Sequence, residues 1–72
     1  MLKNYELKEI EEKKGSCFNK KIYEIINFNN DYDKLEQDIE EYNKNCDFWL
    51  SMKLGNKIDN KQTIELWIDH LD

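Results

Sequence analysis

Between positions 31 and 46 the chain reads DYDKLEQDIEEYNKNC, and Tyr32, Leu35, Ile39, Tyr42 and Cys46 recur at spacings of three and four. That periodicity is one stripe of an α-helix, predicted over residues 32–45 with Leu35, Ile39 and Tyr42 inward. Asp31 is placed to cap its start, and Asp33 lies in the electropositive first turn. Lys44 sits near the C-terminus in the favourable i, i+4 order with Glu40.

The remaining apolar positions alternate instead. In FWLSMKL, residues 48–54, Phe48, Leu50, Met52 and Leu54 fall on one face. In TIELWIDHL, residues 63–71, Ile64, Leu66 and Ile68 do the same, so the two segments predict a hairpin. Pairing with residue numbers summing to 116 or to 118 is compatible with that pattern. A C-terminal helix carrying Ile64, Trp67, Ile68 and Leu71, with Asp59 and Gln62 as a capping pair, is the alternative.

CFNKKIYEIINFNND, residues 17–31, is ambiguous by period. As a strand it puts Ile22, Ile26 and Phe28 on one face and Tyr23 and Ile25 on the other. As a helix it gathers Phe18, Ile22, Ile25, Ile26 and Asn29. Its β-branched and aromatic content favours the strand. In LKNYELKEIEE, Tyr5 and Leu7 alternate but Ile10 is out of phase, which a bulged strand or a short helix ending at Gly15 would explain. With KKGS as a turn, the expected fold is α+β: about four antiparallel strands in ββαββ order, with one helix packed on one face, in a single domain over 1–72.

Composition changes this picture in two ways. Leu, Ile and Phe make up 18 of 72 residues, above the roughly 20% below which disorder is the better expectation. A chain this short nevertheless hides only about 60% of its unfolded surface, so its core is marginal. The charge is the second point. Eleven lysines face sixteen acids for a net −5, and there is no Arg. An acidic chain without the bidentate reader of phosphates and guanines is a poor direct ligand for nucleic acid. The abundance of Lys, Asn and Ile, with no Ala, Arg, Val or Pro, points to AT-rich coding, as in a low-GC bacterium or its phage.

Candidate chemistry is sparse. His70 is the one histidine, Cys17 and Cys46 are widely separated, and no metal-ligand spacing occurs. Neither serine sits in a nucleophile motif, and no glycine-rich loop cradles phosphate. No catalytic residue, cofactor or metal is therefore assigned, and the expectation is not an enzyme. The cysteines are expected as free thiols, with one loop-closing disulfide the alternative. The N-terminus has no apolar stretch of the signal-peptide kind, no apolar run could cross a membrane, and the cytoplasm is the expected compartment.

Two surfaces remain as candidate partner-binding residues. Asp33, Glu36, Glu40 and Glu41 form a carboxylate ladder on the helix, partly neutralised by Lys34 and Lys44. Trp49 and Trp67 fall on the polar phase of the hairpin, facing away from the helix, with Tyr23 and Ile25 as possible extensions of an aromatic patch. Clustered aromatics beside charges are the usual material of binding hot spots. In character the chain resembles phage-encoded inhibitors of host defence enzymes, anti-CRISPR proteins among them, as well as immunity proteins and antitoxins. That likeness carries no residue-level correspondence. The expected function is an inhibitor that occupies the basic surface of a nucleic-acid-handling enzyme. A toxin-neutralising partner and a structural homo-oligomer, including a homodimer, are the alternatives.

Overall fold

The computed structural model describes residues 2–70; Met1, Leu71 and Asp72 lie outside the described residues, Leu71 being part of the alternative C-terminal helical stripe. Four strands and one helix follow in ββαββ order: β1 (Glu6–Lys14), β2 (Phe18–Ile26), α1 (Tyr32–Asn45), β3 (Leu50–Ile58) and β4 (Lys61–Asp69). All neighbouring strands are antiparallel, and their spatial order is β1-β2-β4-β3. The architecture is the α+β fold expected from the sequence.

The helix occupies the predicted span. Asp31 accepts a hydrogen bond from the Lys34 backbone N–H at 3.2 Å, satisfying one of the donors that a helix start leaves unpaired. Leu35 and Ile39 are buried, and Tyr42 is half-buried. These side chains meet Ile25, Met52, Ile64 and Leu66 from the sheet to form the core.

β3 and β4 are joined by Asp59 and Asn60, both with positive φ (51° and 68°). That is the backbone of a type I′ turn, whose twist matches a two-residue hairpin. From Leu50 to Leu54 the pairing follows the sum of 118: Leu50 faces Ile68, Met52 faces Leu66 and Leu54 faces Ile64; a bulge between Leu54 and Lys57 shifts the register by one, so that next to the turn Ile58 faces Lys61. The strand reading of the C-terminal segment therefore holds through Asp69.

Three details depart from the sequence pattern. The first hairpin turns at residues 15–17, where the Gly15 N–H donates to the Phe18 carbonyl at 3.0 Å, so Lys13 and Lys14 stay in β1. Phe48 is not a core member of β3; it lies in the turn before the strand and is 88% exposed. In β2, Tyr23 and Ile25 face the helix, whereas Ile22 and Ile26 face away. β2 is a central strand with apolar residues on both faces, and such a strand carries no phase signal. The misplaced Ile10 has a simpler origin. A register shift between Glu9 and Glu11 in β1 makes Ile10 the extra residue of a bulge.

Candidate functional site

The helix stands on one side of the sheet, and the other side has no covering layer among the described residues. The two sets of candidate residues fall on opposite sides. Asp33, Glu36, Glu40 and Glu41 are all exposed on the outer surface of α1. Glu40 pairs with Lys44 at 3.4 Å, with both side chains largely in solvent. Lys34 turns away from the ladder and bonds Asp38, at 3.4 Å. Asp38 also accepts from the Tyr5 hydroxyl at 2.9 Å, which pins the segment preceding β1 to the helix. Burial, and then this bond to a carboxylate, push the Tyr5 hydroxyl up to about 12.

Trp67 lies on the open face. Its ring is 4.5 Å from that of Phe18, and the ammonium groups of Lys53 and Lys20 stand 4.6 and 5.1 Å from its centre. Its indole N–H donates to Glu65 at 3.1 Å, and Glu65 also meets Lys20 at 4.0 Å. Cation–π contact and this hydrogen bond give an indole on the wet side of a sheet its own local packing. Trp49 continues the same face beyond the start of β3, because its carbonyl accepts from the Asp69 N–H at 2.8 Å. The two tryptophans are diagonal neighbours, since Ser51 stands opposite Trp67. With Phe18, Phe48 and Asp69 they line a shallow hollow of about 240 Å³. The residues that extend this face are Phe18, Ile22 and Ile26 of β2, in place of Tyr23 and Ile25.

Strand register also sorts the charges. The open face carries Lys8, Lys13, Lys20, Lys53 and Lys61, and it carries Glu6, Glu11, Glu24, Glu65 and Asp69. Five of each sign cancel. The formal net charge of −5 therefore belongs wholly to the rest of the chain. No sequence signal distinguishes these two sides until the phase of every strand is known.

The free edge of β3 is the feature that sequence reasoning missed. Asn43 of α1 donates to the Met52 carbonyl at 2.9 Å and accepts from the Met52 N–H at 2.7 Å. Cys46 donates its S–H to the Leu50 carbonyl at 3.4 Å. Further along, Gln62 donates to the Gly55 carbonyl at 2.7 Å, and the Thr63 hydroxyl to the Asn56 carbonyl at 2.6 Å. Asn43 and Cys46 thus occupy the Met52 groups and the Leu50 carbonyl, which an edge strand would offer to another strand, whereas Gln62 and Thr63 reach Gly55 and Asn56 from the paired strand β4. A polar residue such as Asn43 on an apolar-periodic helix is the one hint that the sequence offers.

Cys17 and Cys46 are both free thiols, the first exposed and the second half-buried. The His70 backbone N–H donates to the Cys17 carbonyl at 2.9 Å, but no hydrogen bond joins the thiol to the imidazole among the described residues. No group of three or more His, Cys, Asp or Glu among the described residues could hold a metal ion. No helix among them is long and apolar enough to cross a membrane. No protein-family model matches the chain, and no significant match is found among curated proteins or solved structures.

Proposed function

We propose that the chain is an acidic protein-binding module whose helix face occupies a basic surface of its partner. The partner favoured by this reading is a nucleic-acid-handling enzyme, with the module acting as its inhibitor. One observation carries the reading: Asp33, Glu36, Glu40 and Glu41 line a fully exposed helix face, on the part of the molecule that bears the entire net charge. A concentrated negative field speeds encounter with a cationic groove and orients the approach. The absence of Arg and the sign of the charge weigh against nucleic acid as the direct ligand. An immunity protein or antitoxin opposing a basic toxin would use the same chemistry.

The test begins with affinity capture on the immobilised chain and on a variant with Glu36, Glu40 and Glu41 changed to Gln. A partner held by the parent and lost by the variant at low salt is the expected result. Its identity separates enzyme inhibitor from toxin antidote. Equal capture by both would remove the helix face from the contact.

A further inference from the structure

Beside its core stripe, α1 carries a second one. Asp38, Glu41, Tyr42 and Asn45 recur at three-four spacing along its C-terminal half, and they form one wall of a hollow of about 510 Å³. The segment before β1, residues 2–5, forms the other wall, and the Tyr5–Asp38 hydrogen bond joins the two. Leu2 and Tyr5 also pack against the core, so the hollow combines apolar surface with polar groups. Its volume is that of a small-ligand site. We propose, resting on the acidic-helix reading above, that this hollow is the socket for one arginine side chain of the basic partner.

The polar groups of the hollow mostly accept hydrogen bonds. Asp38 takes one from Tyr5 at 2.9 Å, and its carboxylate has lone pairs for more. Glu41 is exposed and forms no ion pair among the described residues. The Asn45 amide nitrogen donates to the Glu41 backbone carbonyl at 3.0 Å, which leaves the Asn45 side-chain oxygen to accept. Asn45 is also the last residue of α1, and that end of a helix favours a cation. Burial raises both phenols, and negative neighbours add to the effect: Asp38 and Asp31 at Tyr5, then Cys46, Tyr23 and Asp47 at Tyr42. A cationic donor is therefore the guest that these walls favour. Among cations a guanidinium suits them best, because its plane lies against a phenol ring while its fork reaches carboxylates one turn apart. Two lysines stand nearby. Lys34 already bonds Asp38 at 3.4 Å, and Lys3 is exposed with no ion pair among the described residues, so its side chain is free to turn outward as an arginine enters. The proposed partner supplies such a guest. Arginine is the usual bidentate reader of phosphates and guanine edges, so a nucleic-acid-handling enzyme presents it on its basic surface. An arginine held in the hollow is withdrawn from nucleic acid.

The test is an NMR titration of the isotope-labelled chain with short peptides blocked at both ends. Each carries a single central residue between glycines: arginine, lysine, or citrulline, the neutral isostere of arginine. The arginine peptide should give saturable amide shifts gathered at Tyr5, Asp38, Glu41, Tyr42 and Asn45. The lysine peptide, a point charge without the fork, should bind more weakly, and the citrulline peptide should not bind. Glu41→Gln should weaken binding of the arginine peptide about threefold or more, and Asp38→Asn about tenfold. Glu36→Gln combined with Glu40→Gln, on the outer ladder, should leave it within about twofold. Glu41 is fully exposed, so its variant serves if Asp38→Asn perturbs the fold. The socket is overturned if the shifts never saturate, or if lysine or citrulline binds as tightly as arginine. It is equally overturned if the shifts fall on Asp33, Glu36 and Glu40 instead, a result that leaves the acidic-helix reading standing. Conversely, saturable arginine binding in the hollow, with partner capture indifferent to Glu36, Glu40 and Glu41, removes the acidic ladder from the contact and keeps the socket.

Discussion

Tyr5 shows how one side chain ties a chain end to the fold. Its hydroxyl reaches Asp38, which Lys34 also contacts, so the segment before β1 is held by a helix residue that the apolar pattern never flags. Because its folded-state pKa lies at about 12 against an ordinary 10, the folded chain favours the protonated phenol. That contribution is complete below pH 10 and is lost as the pH climbs towards 12. Tyr23 and Tyr42, both raised chiefly by burial, act in the same direction. Tyr5→Phe should cost about 0.5–1.5 kcal/mol at neutral pH and make the alkaline fall in melting temperature shallower. Asn43 is the second such residue. Asn43→Ala removes both bonds to Met52, which water can only partly replace at the edge, and should lower stability by about 1 kcal/mol in urea titrations. Gly55 is the third, since a Cβ there would collide with the Thr63 hydroxyl and stand 3.2 Å from its carbonyl oxygen. Gly55→Ala should cost roughly 1–3 kcal/mol through displacement of that packed pair. None of the three was legible in the sequence, because each role depends on a partner that is distant in the chain or on a bulge.

At the scale of elements, legibility followed the strength of periodicity. The helix was readable to its ends because a stripe at three-four spacing coincides with an N-capping Asp and a favourable charge order. Burial of Leu35 and Ile39 against the sheet then makes Ile39→Ala expected to cost about 2–5 kcal/mol by thermal unfolding, enough to endanger a small core. The β3–β4 hairpin was readable in kind but not in register, since both candidate pairings keep the same face inward. The turn and a bulge decide it together: the two-residue turn at Asp59 and Asn60 sets Ile58 against Lys61, a sum of 119, and the register shift between Leu54 and Lys57 brings the pairs from Leu54 back to Leu50 to 118. Asn60→Gly removes the Cβ from the second of these positions and should raise the melting temperature slightly, by the equivalent of about 0.5 kcal/mol. β2 was the least legible element. A strand flanked on both sides and apolar on both faces offers no alternation to read, and its inverted phase moved Ile22 and Ile26 to the open face.

For the whole molecule, the candidate site divides where the sequence could only list its members. The four carboxylates and the two tryptophans are on opposite sides of the sheet, so a flat partner can touch one group or the other. The acidic group was legible as soon as the helix was. The open face was not, because its balance of charge emerges only when four strands are set in register. Exposed charges contribute little to folding, so the Glu36, Glu40 and Glu41 to Gln variant should melt within about 1 kcal/mol of the parent. Its association with a basic partner should be slower and less sensitive to salt. Stopped-flow mixing at two ionic strengths checks both expectations.

The strand order β1-β2-β4-β3 has a consequence in time. Each hairpin closes a short loop, an event of roughly 1–10 μs. The seam between β2 and β4 joins Glu24 to Thr63 and Phe18 to Asp69 across the whole helix. Closing it demands the largest loss of chain freedom, with little reward until the core side chains of both hairpins are in place. Refolding should therefore be limited by the meeting of two preformed halves. Substitutions at the seam, such as Ile64→Val, should slow folding more than substitutions at the tip of either hairpin. Until the seam closes, the edges of β2 and β4 that the folded sheet covers stand bare, so the interval before docking is when a crowded solution of this chain is most open to misassembly.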